Sequence, residues 1–292
     1  AATVTFATDA NGYAVQQTIT HNPDGSTTID NKALNPDGSL ANETISTMSA
    51  NGLSKTISFD NDGDGVIDRV QTDITVNNAD GSRTETLSDK TGAGVLLDQT
   101  VTTTSVDGKT VTIDRNTTGG SYFDEVEIHV TASNGISTVT VSDYSANGNL
   151  LDRTVSTTSA DGLSRTSTSD LNGDGVNDVS SSDVTVVNSD GSRTETVSQT
   201  AGTTVINRMV TQSSADGSHK TTTNDLDGNG TIDLTTTSTI ARNTDGSTTT
   251  TQLDNNTDGS LRDKTVTTLS ADGLTKTVSS DLDGNGSIDL ST

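Results

Sequence analysis

A serine-led turn word returns along this chain at an almost fixed interval, and that interval limits what the chain can fold into. Ser49-Ala50-Asn51-Gly52-Leu53, Ser105-Val106-Asp107-Gly108, Ser159-Ala160-Asp161-Gly162-Leu163, Ser214-Ala215-Asp216-Gly217 and Ser270-Ala271-Asp272-Gly273-Leu274 begin 56, 54, 55 and 56 residues apart. A second word, Asn78-Ala79-Asp80-Gly81-Ser82-Arg83-Thr84-Glu85-Thr86, keeps the same beat at 188–196 and more loosely at 243–251. Self-similarity at such a period marks a repeat architecture, in which each unit packs only on its neighbours. The 292 residues read as one array without a linker or a second domain. It has a partial unit over 1–48, full units over 49–104, 105–158, 159–213 and 214–269, and a partial unit over 270–292.

Inside each unit a turn signal comes about every 13 to 16 residues. Asn22-Pro23-Asp24-Gly25 and Asn35-Pro36-Asp37-Gly38 show its chemistry. Proline presets φ for a type I turn, aspartate suits the next position, and glycine takes the left-handed position of a bulge. Such turns join antiparallel strands, so each unit should hold about four. The composition agrees: 58 threonines favour strands, and 35 of the 40 acidic residues are aspartate, a turn former, rather than glutamate. The expected fold is all-β, a meander or solenoid-like rod of hairpins. With Val106-Asp107-Gly108 as a three-residue loop, Thr103 should face Val111 and Val101 should face Ile113, which puts all four on one face.

Asp60-Asn61-Asp62-Gly63-Asp64-Gly65-Val66-Ile67-Asp68 places side-chain oxygens at positions 1, 3, 5 and 9. Glycine at position 6 turns the chain so that the Val66 carbonyl can point inward. The pattern recurs as Asp170, Asn172, Asp174, Val176 and Asp178, as Asp225, Asp227, Asn229, Thr231 and Asp233, and as Asp281, Asp283, Asn285, Ser287 and Asp289. These are the first nine positions of an EF-hand calcium loop. Calcium suits them because it takes six to eight oxygens at loosely defined angles, whereas magnesium demands a strict octahedron. Position 12 departs from the EF-hand, with Gln71, Ser181, Thr236 and Thr292 where a bidentate glutamate belongs.

Without flanking helix patterns, the loops resemble the aspartate-rich hairpin loops of FG-GAP-type repeats. That resemblance implies ligand roles for the matching positions only, since the aromatic and glycine signature of those propellers is missing. Without the bidentate glutamate, the expected dissociation constants are those of extracellular modules, roughly 10⁻⁴ to 10⁻³ M. A worn copy has Asp114, Asn116, Thr118 and Glu125 as candidate ligands, so the array should take four calcium ions, or five if this copy binds. Asp9-Ala10-Asn11-Gly12 is a fragment of the loop with Ala7 at its first position, and it is not counted as a site.

The rest of the composition narrows the function. Hydrophobic residues make up 27% and aromatics 2%, and the formal net charge is −24. A large enzyme core is therefore excluded, and nucleic acid is repelled. No apolar run is long enough for a helical membrane span. Without cysteine there is no disulfide to staple so thin a core. His21, His129 and His219 occupy unrelated places in the repeat, and no nucleophile elbow or phosphate loop is present, so no active site is nominated. Lys55, Arg83, Arg165, Arg193, Lys220 and Lys276 are expected as cross-strand partners of aspartate.

Repeat style, composition and acidic loops together resemble the tandem-repeat regions of large secreted bacterial surface proteins, including calcium-dependent adhesins. The glycine-rich nonapeptides of RTX β-rolls are absent. The resemblance implies a secreted or cell-surface structural element, a calcium-stiffened stalk, fibre or layer in which copies of the chain associate. Two alternatives stand beside it: an ice- or glycan-binding module using threonine faces, and an accessory array of a larger secreted enzyme. Without calcium, a chain this poor in apolar residues is expected to be largely disordered.

Overall fold

The computed structural model describes residues 2–8 and 14–292; the partial acidic word at 9–12 lies outside them. The described residues form 22 strands and no helix, so none could cross a membrane as a long apolar helix. By its contacts the chain divides into two compact units, Ala1–Ser133 with Thr138–Arg153, and Asn134–Ser137 with Thr154–Thr292.

The first unit contains β1 (Ala2–Thr8), β2 (Ala14–His21), β3 (Thr27–Leu34), β4 (Leu40–Met48), β5 (Ser54–Asp60), β6 (Arg69–Asn77), β7 (Arg83–Thr91), β8 (Leu96–Thr104), β9 (Thr110–Asn116) and β10 (Glu125–Thr131). β11 (Ser137–Tyr144) and β12 (Leu150–Thr158) fall where the chain passes between units. The second contains β13 (Ser164–Asp170), β14 (Val179–Val187), β15 (Arg193–Ala201), β16 (Thr204–Ser213), β17 (His219–Asp225), β18 (Leu234–Arg242), β19 (Thr248–Asn256), β20 (Leu261–Leu269), β21 (Lys276–Asp281) and β22 (Leu290–Ser291). From β1 to β10, and again from β13 to β22, each strand pairs antiparallel with its sequence neighbours within that run and, among the described residues, packs on no other strand of it. Each unit is thus an open meander of one layer, and winding into a solenoid does not occur within it.

The turns fall into two chemical classes, and the second corrects the expected register. In asparagine-led turns the Asn22 amide donates to the Ser26 carbonyl at 2.8 Å and Gly25 donates to Asn22 at 3.1 Å. That encloses three residues, the expected type I turn with its glycine bulge. In turns of the serine word that recurs at 49, 105, 159, 214 and 270, the Ser105 amide donates to the Thr110 carbonyl at 2.9 Å, which encloses four, whereas the Ser145 turn encloses three, its amide donating to the Asn149 carbonyl at 2.9 Å. The Ser105 hydroxyl spans the extra residue, accepting from the Thr110 amide at 3.0 Å and donating to Asp107 at 2.7 Å. Thr104 therefore faces Val111, Thr102 faces Ile113, and Val101 faces Asp114. A one-residue slip moves a side chain to the other face, so Val101 and Thr103 do not share a face with Val111 and Ile113.

No apolar side chain is buried among the described residues. Hydroxyl pairs across strands take part of that role: Thr28–Thr47 at 3.1 Å, Thr84–Thr103 at 3.2 Å, Ser182–Ser198 at 2.9 Å and Thr211–Thr222 at 3.2 Å. Of the six cations expected opposite aspartate, Lys55 faces Asp73 and Arg165 faces Asp183. Arg83, Arg193, Lys220 and Lys276 instead face Asn77, Val187, Ser238 and Leu269; Lys220 keeps the register of Lys55 and Arg165, but serine stands where they meet aspartate.

Candidate metal centres

Turns of a meander alternate between two edges. In the first unit the acidic loop after β5 and the worn loop after β9 share an edge with the short turns after β3 and β7. In the second, the acidic loops after β13, β17 and β21 share an edge with the turns after β15 and β19. Those short turns hold the acidic loops in place. The Asp68 carbonyl accepts from the Gly92 amide at 2.6 Å, that of Asp178 from Gly202 at 2.7 Å, and that of Asp233 from the Thr257 hydroxyl at 3.3 Å. On the other side Gly63, at φ 74°, lies so close to the Leu40 carbonyl that a Cβ would meet its oxygen at 2.3 Å.

The first ligand position ends a strand and is buried: Asp60 is 1% exposed, Asp170 3%, Asp225 5% and Asp281 1%. Asp60 accepts from the Gly63 amide at 2.7 Å through Oδ1 and from the Gly65 amide at 2.9 Å through Oδ2. Asp225 accepts from Gly230 at 2.9 Å through Oδ2, and its buried Oδ1 has no hydrogen-bond partner. Burial pushes the Asp170 carboxyl up, but the amides of Gly175, Asn172, Gly173 and Asp174 outweigh it and hold the group below the usual range. Asp281 balances the same way: burial raises it, and the amides of Gly286, Gly284 and Asn285, with Asp283, bring it down.

The other positions curl over that buried carboxylate. Position 3 accepts the amide of position 5, as Asp62 does from Asp64 at 3.3 Å, Asn172 from Asp174 at 2.9 Å, Asp227 from Asn229 at 3.1 Å and Asp283 from Asn285 at 3.1 Å. Position 5 accepts the amide of position 7, with Asp64, Asp174, Asn229 and Asn285 receiving Val66, Val176, Thr231 and Ser287 at 2.7 to 2.8 Å. Position 9 closes each loop: the amides of Leu171, Leu226 and Leu282 donate to Asp178, Asp233 and Asp289, each at 2.7 Å.

Among the described residues three groups of carboxylates come within 4.8 Å and can hold a metal ion: Asp60, Asp62 and Asp64; Asp225, Asp227 and Asp233; Asp281, Asp283 and Asp289. The Asp170 loop has asparagine at position 3 and forms no such three-carboxylate group. Three like charges so close repel one another, and a bound cation relieves that repulsion.

For the worn copy the structure moves the frame by two residues. The strand-end position is held by Asn116, 4% exposed, not by Asp114. Asp114 lies within β9, where burial raises its carboxyl. Glu125 is engaged by Arg115. Thr118 sits at position 3, its amide donating to Asn116 at 3.3 Å. The residue that closes the loop is Asp124, which the spacing from Asp114 concealed; it accepts the Thr117 amide at 2.7 Å. Counting from the serine word at 105 instead of from the nearest aspartate would have found it.

Neither a protein-family model nor a curated protein matches the chain.

Proposed function

We propose that this chain is a non-enzymatic structural repeat protein whose four acidic loops each take a calcium ion, clamping one hairpin per repeat into the sheet. The observation that carries the reading is burial. In a sheet without a buried apolar side chain, the strand-end aspartate of every acidic loop is at most 5% exposed. Burying a carboxylate without compensating charge is costly, and a divalent ion bound among oxygens supplies that charge. Calcium fits better than magnesium, because the donors are carboxylates, side-chain amides and loop carbonyls with no rigid octahedron imposed.

Four such ions offset eight of the 24 net negative charges. With its core replaced by hydroxyl ladders and ions, the chain suits a stalk, fibre or layer outside the cell, where calcium is plentiful. It would leave the cell loose and stiffen on meeting calcium, and the repeated hairpins would present like surfaces to other copies. The threonine pairs support a structural role over ice or glycan binding, since their hydroxyls bond each other. Titrating calcium into chelator-treated protein while following far-UV circular dichroism and the melting temperature tests the clamp. We expect a rise of at least 10 °C by millimolar calcium; identical spectra and melts in chelator and calcium overturn it.

A further inference from the structure

We infer that the loop after β9 is an ion-independent staple in which the Asn116 side-chain amide does the work that a cation does in the other four. The inference rests on the calcium reading of those loops, but its own geometry is separate. The loop has the same length as its acidic counterpart, with eight residues between β9 and β10 as between β5 and β6. It keeps the same frame. Asp124 donates its amide to the Arg115 carbonyl at 2.9 Å, as Asp68 does to Phe59 at 2.8 Å. A Cβ at Gly119, φ 69°, would meet the Leu96 carbonyl oxygen at 2.4 Å, as one at Gly63 would meet that of Leu40.

What differs is the polarity of the centre. In the acidic loops the position-1 carboxylate can only accept, and it takes the amide of position 6. Here the Asn116 Nδ2 donates to the Gly120 carbonyl at 2.6 Å, and Asn116 Oδ1 accepts from Thr118 at 3.3 Å. A carbonyl oxygen has no proton to give, so the atom facing it must be the amide nitrogen. The backbone follows this exchange: position 6 is Gly65, at φ 86°, in the acidic loop, but Ser121 here, where no positive φ is needed. With threonine and glycine at positions 3 and 5, the carboxylates left at ligand positions are Asp124 and, at position 12, Glu127; Thr117 bonds both oxygens of Asp124, and Arg115 and His129 hold Glu127. The loop is neutral at its centre and its donors and acceptors are matched, so it has neither the need nor the charge to hold a cation. The array then takes four ions, and the β9–β10 hairpin remains closed when they are removed.

Amide hydrogen exchange on the full chain, in calcium and in chelator, tests this directly. We expect protection at Thr117 and Asp124 to change less than twofold on chelation, while Asn61, Gly63 and Gly65 lose at least tenfold. Equilibrium dialysis with calcium alone should count four ions. A fifth ion, or loss of protection at 117–124 in step with the acidic loops, overturns the inference. If no calcium binds at all while 117–124 stays protected, the calcium reading fails and the staple stands. Asn116→Asp removes the donor, and the loop should then lose protection at least tenfold in chelator. If that variant is protected like the wild type, the staple is refuted; if it does not fold, the wild-type comparison still decides.

Discussion

The backbone amide of Asn61 donates to the carboxylate of Asp68, seven residues later, at 2.7 Å, so the last ligand position of the loop is also its latch. Asp62 is exposed as Asp68 is, but it bonds only the amide of Asp64, at 3.3 Å. The two aspartates should therefore separate latch from ligand. Asp68→Ala is expected to destabilise the protein by about 1 kcal/mol even in chelator, below the usual contribution of a charge-assisted bond because the group is exposed. Asp62→Ala should leave the chelated protein within about 0.5 kcal/mol of wild type and weaken calcium binding instead. Melting both variants with and without calcium reads the difference, and equal behaviour in chelator would sink the latch.

Glycine substitutions should show that the acidic loop is wedged between its neighbours. Gly63 and Gly52 have nearly the same backbone angle, 74° and 71°. A Cβ at Gly63 runs into the Leu40 carbonyl at 2.3 Å, whereas at Gly52 it meets open space. Gly52→Ala should cost about 1 kcal/mol, the left-handed penalty alone. Gly63→Ala adds a backbone collision that only movement of the β3–β4 turn can relieve, and we expect at least about 3 kcal/mol. Similar melting temperatures for the two variants would mean that the loop is not wedged.

The all-β class and the hairpin pattern were legible because glycine and aspartate at fixed offsets dictate turns more strongly than a thin apolar pattern dictates packing. The four acidic loops were legible for the same reason. The register of the serine-led hairpins was not, because the loop length depends on whether the leading hydroxyl reaches the backbone five residues on. Ser49, Ser105, Ser159, Ser214 and Ser270 all do, at 2.9 to 3.0 Å. Nor was the frame of the worn loop, where Asp114 attracts the eye by its charge although the repeat assigns its place to Asn116. The alanine of the serine words had a hidden use as well. A Cβ on Gly25 would meet the Ala50 Cβ at 2.9 Å, and one on Gly246 would meet the Ala271 Cβ at 3.0 Å, so neighbouring turns stack there.

Acid should loosen the turns in a narrow window. The Ser214 hydroxyl, the Ser218 amide and the Ser218 hydroxyl lower the Asp216 carboxyl from 3.8 to about 2. A depressed folded pKa stabilises above the unfolded value and loses that contribution as pH falls through the folded one. The turn at Ser214–Ser218 should thus hold unchanged down to about pH 4 and loosen progressively between about pH 4 and 2. Asp24, Asp37, Asp80, Asp190 and Asp245 are lowered by the same serine contacts and should follow. Exchange at the Ser218 and His219 amides across this range, with Asp216→Asn as the control that removes the pH dependence, is the measurement. A turn that opens above pH 4.5 would contradict it.

One carboxylate pair works against the fold, and removing it should help. Asp254 on β19 lies directly opposite Asp263 on β20. Burial raises the Asp263 carboxyl first, and the hydrogen bond and charge of Asp254 raise it further against the pull of Arg262. Asp254 Oδ1 is buried without a partner. With a folded pKa above the unfolded one, the pair costs stability at neutral pH, and that cost is relieved as pH falls through the raised value. Asp263→Asn supplies an amide donor to Asp254 and removes the repulsion, so at pH 7 it should stabilise by up to about 1 kcal/mol. The gain should fade as pH falls through the raised Asp263 value, where that carboxyl is protonated and the repulsion is gone. The equivalent pair, Asp89 opposite Asp98, offers the control. Arg69 binds Asp89 and lowers its carboxyl despite burial, so Asp98→Asn should gain little. Melting curves at pH 7 and pH 3 in chelator decide: a gain of the same size at both pH values would show that the repulsion is not its source.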